Sequence, residues 1–270
     1  VSALDELFRR TTAEGRAALV AYLPAGYPTE QQGIDAFRAL VDAGADVIEV
    51  GLPYSDPLMD GPTIQQAVDA ALRGGSTTAG VFRTVEAVAA TGAPTLVMTY
   101  WNPVERYGVD RFARDLATAG GAGVITPDLL PEEAGEWLAA TDAHGLDPVF
   151  LVAPSSTDDR IASTAGVTKG FLYAASTMGV TGARDAVSNR AAELVTRTKR
   201  VTQLPVAVGL GVSSGAQAAE VAAYADGVIV GSAFVRCLLE AADVTTGIRA
   251  LAALAGDLAA GVRARTIVNR

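Results

Sequence analysis

Eight short apolar runs, helical segments between them and a length of 270 residues predict an α/β protein folded as one closed (β/α)8, or TIM, barrel. The runs lie at 18–22, 46–51, 94–100, 123–127, 148–154, 170–176, 205–211 and 227–233. Several are nearly continuous in apolar residues, as in Val206-Ala207-Val208 and Val228-Ile229-Val230. That pattern suits parallel strands buried on both faces. Covering helices are expected at 30–43, 77–90, 110–118, 131–141, 188–201 and 214–223. A barrel of this kind takes about 250 residues. The alternative, an open doubly wound sheet, wants Gly-x-Gly-x-x-Gly after its first strand, and none follows 18–22. No linker or low-complexity tract divides the chain, so one domain over 1–270 is expected.

Half the residues are apolar and 19% are charged, which describes a chain with a large core. A net charge of −9 and a pI near 4.7 argue against a nucleic-acid surface. No apolar run approaches the roughly 18 residues of a membrane span, so a soluble, cytoplasmic protein is expected. The single cysteine, Cys237, has no partner for an internal disulfide and reads as a small core residue.

Several chemistries lose their residues. The one histidine, His144, precedes the fifth strand, on the face of a barrel opposite the usual active site. The two lysines, Lys169 and Lys199, fall before the sixth strand and near a helix end. A histidine-rich metal centre, a His-based triad and a strand-top Schiff-base lysine are therefore not expected. Proton transfer by carboxylates remains.

The stretch Glu49-Val50-Gly51-Leu52-Pro53-Tyr54-Ser55-Asp56-Pro57-Leu58-Met59-Asp60 supplies them. Glu49 sits among Val47, Ile48 and Val50 near a strand end, where lost hydration raises a carboxyl pKa toward the range useful for proton transfer. Asp60 ends the following loop, just before a helix start at Gly61-Pro62, and completes a candidate acid/base pair. The plainer alternative makes Glu49 a satisfied strand residue and Asp60 a helix cap. The seventh and eighth runs end in Gly209-Leu210-Gly211 and Gly231-Ser232, each leading into a helix. Loops in these two positions are the recurrent phosphate site of the fold, made from backbone N–H groups and a helix N-terminus. Gly179-Val180-Thr181-Gly182-Ala183 follows the sixth run and reads as a mobile lid or a long surface loop.

Residues 47–65, then Tyr173 with Gly179-Val180-Thr181-Gly182, Gly209-Leu210-Gly211 and Gly231-Ser232, closely resemble the tryptophan synthase alpha subunit family in order and spacing, over 22–232. The resemblance implies a lyase that cleaves indole-3-glycerol phosphate to indole and glyceraldehyde 3-phosphate. It makes Glu49 the general acid/base and Asp60 the carboxylate near the ring nitrogen. It places Tyr22, Met98, Ile125, Leu151, Tyr173, Thr181 and Leu210 around the indole, and Gly182, Gly209, Gly211, Gly231 and Ser232 around the phosphate. Pro53, Tyr54, Asp56 and Pro57 would face a beta subunit in an α2β2 assembly. Pyridoxal phosphate would belong to that partner, with no cofactor and no metal in this chain. Two positions depart from many relatives: Tyr27 stands where an Asp is common, and Thr177 where some carry Arg. Other readings are a sugar-phosphate isomerase barrel, a free-standing lyase, or a barrel acting chiefly as an allosteric activator.

Overall fold

The computed structural model describes residues 1–176 and 184–264. Its strands are β1 (Ala18–Pro24), β2 (Val47–Gly51), β3 (Thr95–Met98), β4 (Gly123–Ile125), β5 (Asp147–Val149), β6 (Leu151–Val152), β7 (Leu172–Ala175), β8 (Val206–Gly209) and β9 (Gly227–Val230). All pair in parallel, in the order β5-β4-β3-β2-β1-β9-β8-β7-β6. The two ends of that order are the same piece of chain. The run expected as one strand at 148–154 divides at Phe150: its first half pairs with β4 and its second with β7. Val149 accepts from the Thr126 N–H at 3.3 Å and Phe150 from the Tyr173 N–H at 3.1 Å, so one segment serves both neighbours and closes eight staves into a barrel.

Each strand is buried on two faces, as its continuous apolar run demands. Inward residues at every second position (Ala18 and Val20, Val47, Leu96, Ile125, Val149, Ala207, Ile229) form an inner core. The outward set, including Leu19, Ile48, Val97, Val124 and Val208, packs under the helices with Phe37, Phe112 and Trp137.

The helices are α1 (Ala3–Ala13), α2 (Glu30–Asp42), α3 (Pro62–Arg73), α4 (Thr78–Ala89), α5 (Trp101–Tyr107), α6 (Val109–Thr118), α7 (Gly135–His144), α8 (Asp158–Val167), α9 (Arg184–Val201), α10 (Gly215–Ala222), α11 (Ser232–Leu239) and α12 (Val244–Arg263). Side-chain caps by Thr29, Thr77, Thr157, Ser214 and Asp243 fix where α2, α4, α8, α10 and α12 begin. Helix α1, held by a Ser2–Asp5 capping box, plugs the N-terminal end of the barrel with Leu4, Leu7 and Phe8. Beneath β1 and β2, the Arg16 guanidinium grips Asp46 through two bonds of 2.7 and 2.8 Å, and Asp46 also accepts from the Leu19 N–H. That leaves the opposite, C-terminal end of the barrel open for a site.

The basic residues set aside on sequence grounds lie away from that end. His144 ends α7 and meets Asp110 at 2.9 Å, Lys169 pairs with Asp142, and Lys199 pairs with Asp226 at 2.9 Å. Cys237 is half-buried in α11 against the outer core. Among the described residues no helix is long and apolar enough to cross a membrane, and no group of three or more His, Cys, Asp or Glu side chains could hold a metal ion.

Candidate active site

Glu49 points into the barrel because Val47, Glu49 and Gly51 occupy the inward positions of β2, while Ile48 and Val50 pack outward. It is fully buried, and neither carboxyl oxygen has a hydrogen-bond partner among the described residues. Burial alone pushes its pKa up to about 8, since nothing offsets the cost of desolvating the anion. Glu49 is thus a protonated carboxylic acid at neutral pH. Its register partner on β1 is Tyr22, whose phenol burial holds well above the ordinary value; that of Tyr173 on β7 is raised by burial too. Both tyrosines remain hydroxyl donors.

Two of the glycines exist to admit those tyrosines. A Cβ on Gly51 would overlap the Tyr22 hydroxyl, and one on Gly209 would stand 2.6 Å from that of Tyr173. Only a residue without a side chain lets the phenols lie across the neighbouring strands.

Asp60 lies on the loop from β2 to α3. It is not a helix cap: the N-cap is Gly61, without a side-chain bond, and Pro62 opens the helix. Burial raises the Asp60 pKa, and a hydrogen bond from the Tyr100 hydroxyl to Oδ1 (3.1 Å) pulls it down. The same hydroxyl accepts from the Met59 N–H at 2.9 Å. The backbone carbonyl of Asp60 is held by Gln65 Nε2 at 2.7 Å.

Glu49 and Asp60 line one cavity at the C-terminal end of the strands, with Tyr22, Met98, Leu151 and Tyr173 as its walls. Gly209, Leu210, Gly211, Gly231 and Ser232 form its rim. Gly211 takes a left-handed φ of 77°, which a side chain would strain. At this rim α10 is capped by the Ser214 side chain, whereas α11 begins at Gly231 with no side-chain cap. Uncapped first-turn N–H groups are suited to an anion.

Ile125, also expected beside the ligand, is fully buried in the inner core and does not reach the cavity, whose wall on that side is Met98 and Leu151. Thr181 and Gly182 lie outside the described residues, as does Thr177. Met59, Ile64, Ala175, Ser176 and Ile229 line the cavity without having been singled out. Two carried a signal: Ala175 is two residues past Tyr173 and Ile229 two before Gly231, on the same strand faces. On the loop, Pro53 is buried, Tyr54 and Pro57 are half-buried, and Asp56 is exposed and bonded by the Ser55 hydroxyl at 2.6 Å. Leu58 and Met59 are 75% and 46% exposed, a large apolar surface on one short loop.

A closed parallel barrel with two carboxylates and a glycine rim at its strand C-termini defines the class of (β/α)8-barrel enzymes. The family model described as tryptophan synthase alpha chain matches residues 8–263. The chain is 64% identical over 263 residues to the tryptophan synthase alpha chain of Acidothermus cellulolyticus, covering 97% of this chain and 98% of that one. It is 61% identical to the one from Salinispora arenicola over 97% of this chain and 98% of the relative. A structure of Mycobacterium tuberculosis tryptophan synthase superposes with a TM-score of 0.90 at 58% identity, over 97% of this chain and 99% of its counterpart. An aminoacrylate-bound form of that enzyme gives 0.89 at 55%, over 97% and 100%. The chain belongs to the tryptophan synthase alpha chain family, and its function is that of this enzyme subunit in tryptophan biosynthesis.

Proposed function

We propose that this chain is a carbon–carbon lyase that cleaves indole-3-glycerol phosphate to indole and glyceraldehyde 3-phosphate, and passes the indole to a beta subunit. The observation that carries the reading is the buried Glu49 carboxyl, without a hydrogen-bond partner among the described residues and protonated at neutral pH yet near enough to pH 7 to give up and regain its proton.

Protonated Glu49 delivers its proton to C3 of the indole ring, which leaves the positive charge on the ring nitrogen. The resulting carboxylate takes the proton of the side-chain hydroxyl adjacent to the ring. As that oxygen forms its carbonyl, the carbon–carbon bond breaks and its electron pair returns to the ring. Glu49 ends protonated, so the cycle consumes no acid or base. Asp60 stabilises the transient charge as an anion at the ring N–H. The Tyr100 hydrogen bond helps keep it ionised against its burial.

The apolar and aromatic walls at Tyr22, Met98, Leu151 and Tyr173, with Leu210 on the rim, suit an aromatic ring, with Ile125 as backing and Thr181 assigned by resemblance. The phosphate belongs at Gly209, Gly211, Gly231 and Ser232, where the uncapped start of α11 supplies backbone donors, with Gly182 added by resemblance. Loop residues Pro53, Tyr54, Asp56 and Pro57 meet the beta subunit, and pyridoxal phosphate is that partner's cofactor. The test is to mix the chain with indole-3-glycerol phosphate, with and without a beta subunit, and follow indole. Absence of indole in both would refute the reading.

A further inference from the structure

Asp60 belongs to a loop, whereas the residue that holds it belongs to the frame. Tyr100 stands two residues past the end of β3 as the N-cap of α5. Its backbone is fixed from both sides. The Thr99 N–H donates to the Ile125 carbonyl at 3.0 Å, and both oxygens of Asp128 accept from the Trp101 N–H at 2.9 and 3.1 Å. Tyr100 is itself buried, with 6% of its surface exposed. Its ring lies 5.6 Å, centroid to centroid, from that of Tyr54, the aromatic residue of the loop. One fixed side chain therefore touches the loop near its start and again near its end.

The geometry points to Tyr100 as a positioning residue for this reaction. Its hydroxyl joins the Met59 N–H to the Asp60 carboxylate and so sets where the loop at 52–61 presents Asp60. The inference rests on the proposed lyase reading for the role of Asp60, though the contact itself does not. Burial pushes the Tyr100 phenol up to about 12, so the hydroxyl keeps its proton throughout the working range. Accepting from a backbone N–H while donating to a carboxylate uses both capacities of one hydroxyl, and neither is available to phenylalanine. The other titratable groups facing this corner are Tyr22 from β1, Glu49 from β2 and the Asp128 carboxylate on the Trp101 N–H, all raised by burial. Tyr22 and Glu49 keep their protons in acid, and the carboxyl of Asp128 is told from that of Asp60 by a site-assigned titration.

The test is Tyr100→Phe in the full chain, which keeps the ring and its packing on Tyr54. The expected loss in kcat is about tenfold, the order of one hydrogen bond, with KM changed by less than about threefold. The acid limb of the kcat/KM profile should move to higher pH. Carbon-13 NMR of the Asp60 carboxyl, assigned with Asp60→Asn, should show the same upward movement without any turnover. Unchanged turnover, or an Asp60 titration that stays in place, overturns the inference; a loss of rate without the titration shift makes Tyr100 merely structural. If the wild-type chain cleaves no indole-3-glycerol phosphate either with or without a beta subunit, the lyase reading falls, and the NMR titration still decides the Tyr100–Asp60 link.

Discussion

Replacing Glu49 by Gln preserves shape and removes the proton. In the native state the carboxyl titrates at about 8, against 4.5 when solvated. Between those values the folded chain holds a proton that the unfolded chain has lost, so stability must fall as pH rises from 4.5 to 8 and level off beyond. Each pKa unit corresponds to about 1.4 kcal/mol, so the wild type should lose about 3 kcal/mol between pH 4.5 and 7 from this group alone. Glu49→Gln should lose none of it. Subtracting the two urea-unfolding profiles cancels the other titrating groups, since the remaining sequence is the same. Activity gives a second reading. The alkaline limb of the wild-type kcat/KM should centre near pH 8, where the acid is lost. The Gln variant should fall by at least ~10²-fold at all pH values. Parallel stability profiles for the two proteins would refute the buried-acid reasoning, and near-normal indole release by folded Glu49→Gln would remove Glu49 from the mechanism.

Gly211→Asp should raise KM more than it lowers kcat, because a strained, negatively charged side chain at a φ of 77° disturbs ground-state phosphate binding; unchanged affinity for a glycerol-phosphate ligand would place the anion elsewhere. Gly209→Ala should destabilise by about 1–3 kcal/mol through overpacking against the Tyr173 hydroxyl, read by thermal unfolding, and Tyr173→Phe in the same chain should recover part of the loss. Asp56→Ala, at an exposed loop position, should spare basal turnover and weaken stimulation by the beta subunit. Coupling between sites is reciprocal, so a substrate analogue should tighten subunit association in the wild type, and calorimetry showing equal affinity with and without it would break the link.

The barrel was legible because parallel staves buried on two faces leave nearly unbroken apolar runs, and all eight runs appear as staves. Their ends were less legible. The run at 94–100 forms a ladder only over Thr95–Met98, because Tyr100 turns into a helix whose first N–H is captured by Asp128, 27 residues further along. No local pattern carries such a partner. Helix α1 is not among the expected helices, although it carries a local signal: Leu4, Leu7, Phe8 and Thr11 form a buried stripe behind a capping box. In the site, the environment of Glu49 could be read from its β-branched neighbours. That of Asp60 could not, since its donor lies 40 residues away, beyond the end of another stave.

The two carboxylates differ in support as well as in chemistry. Glu49 is built into a strand at an inward position of the barrel, and its pKa follows from burial there. Asp60 rides on a loop that exposes Leu58 and Met59, and its ionisation depends on one hydrogen bond from the frame. A partner covering those exposed side chains would gain apolar burial only with the loop in one position. It would thereby favour the arrangement that seats Asp60 on Tyr100 while leaving the Glu49 acid untouched. Stimulation should then appear in the step where charge develops on the ring nitrogen and leave the alkaline limb near pH 8 where it was. A beta subunit that moved that limb would have to reach Glu49, and the division of labour between frame and loop would fail.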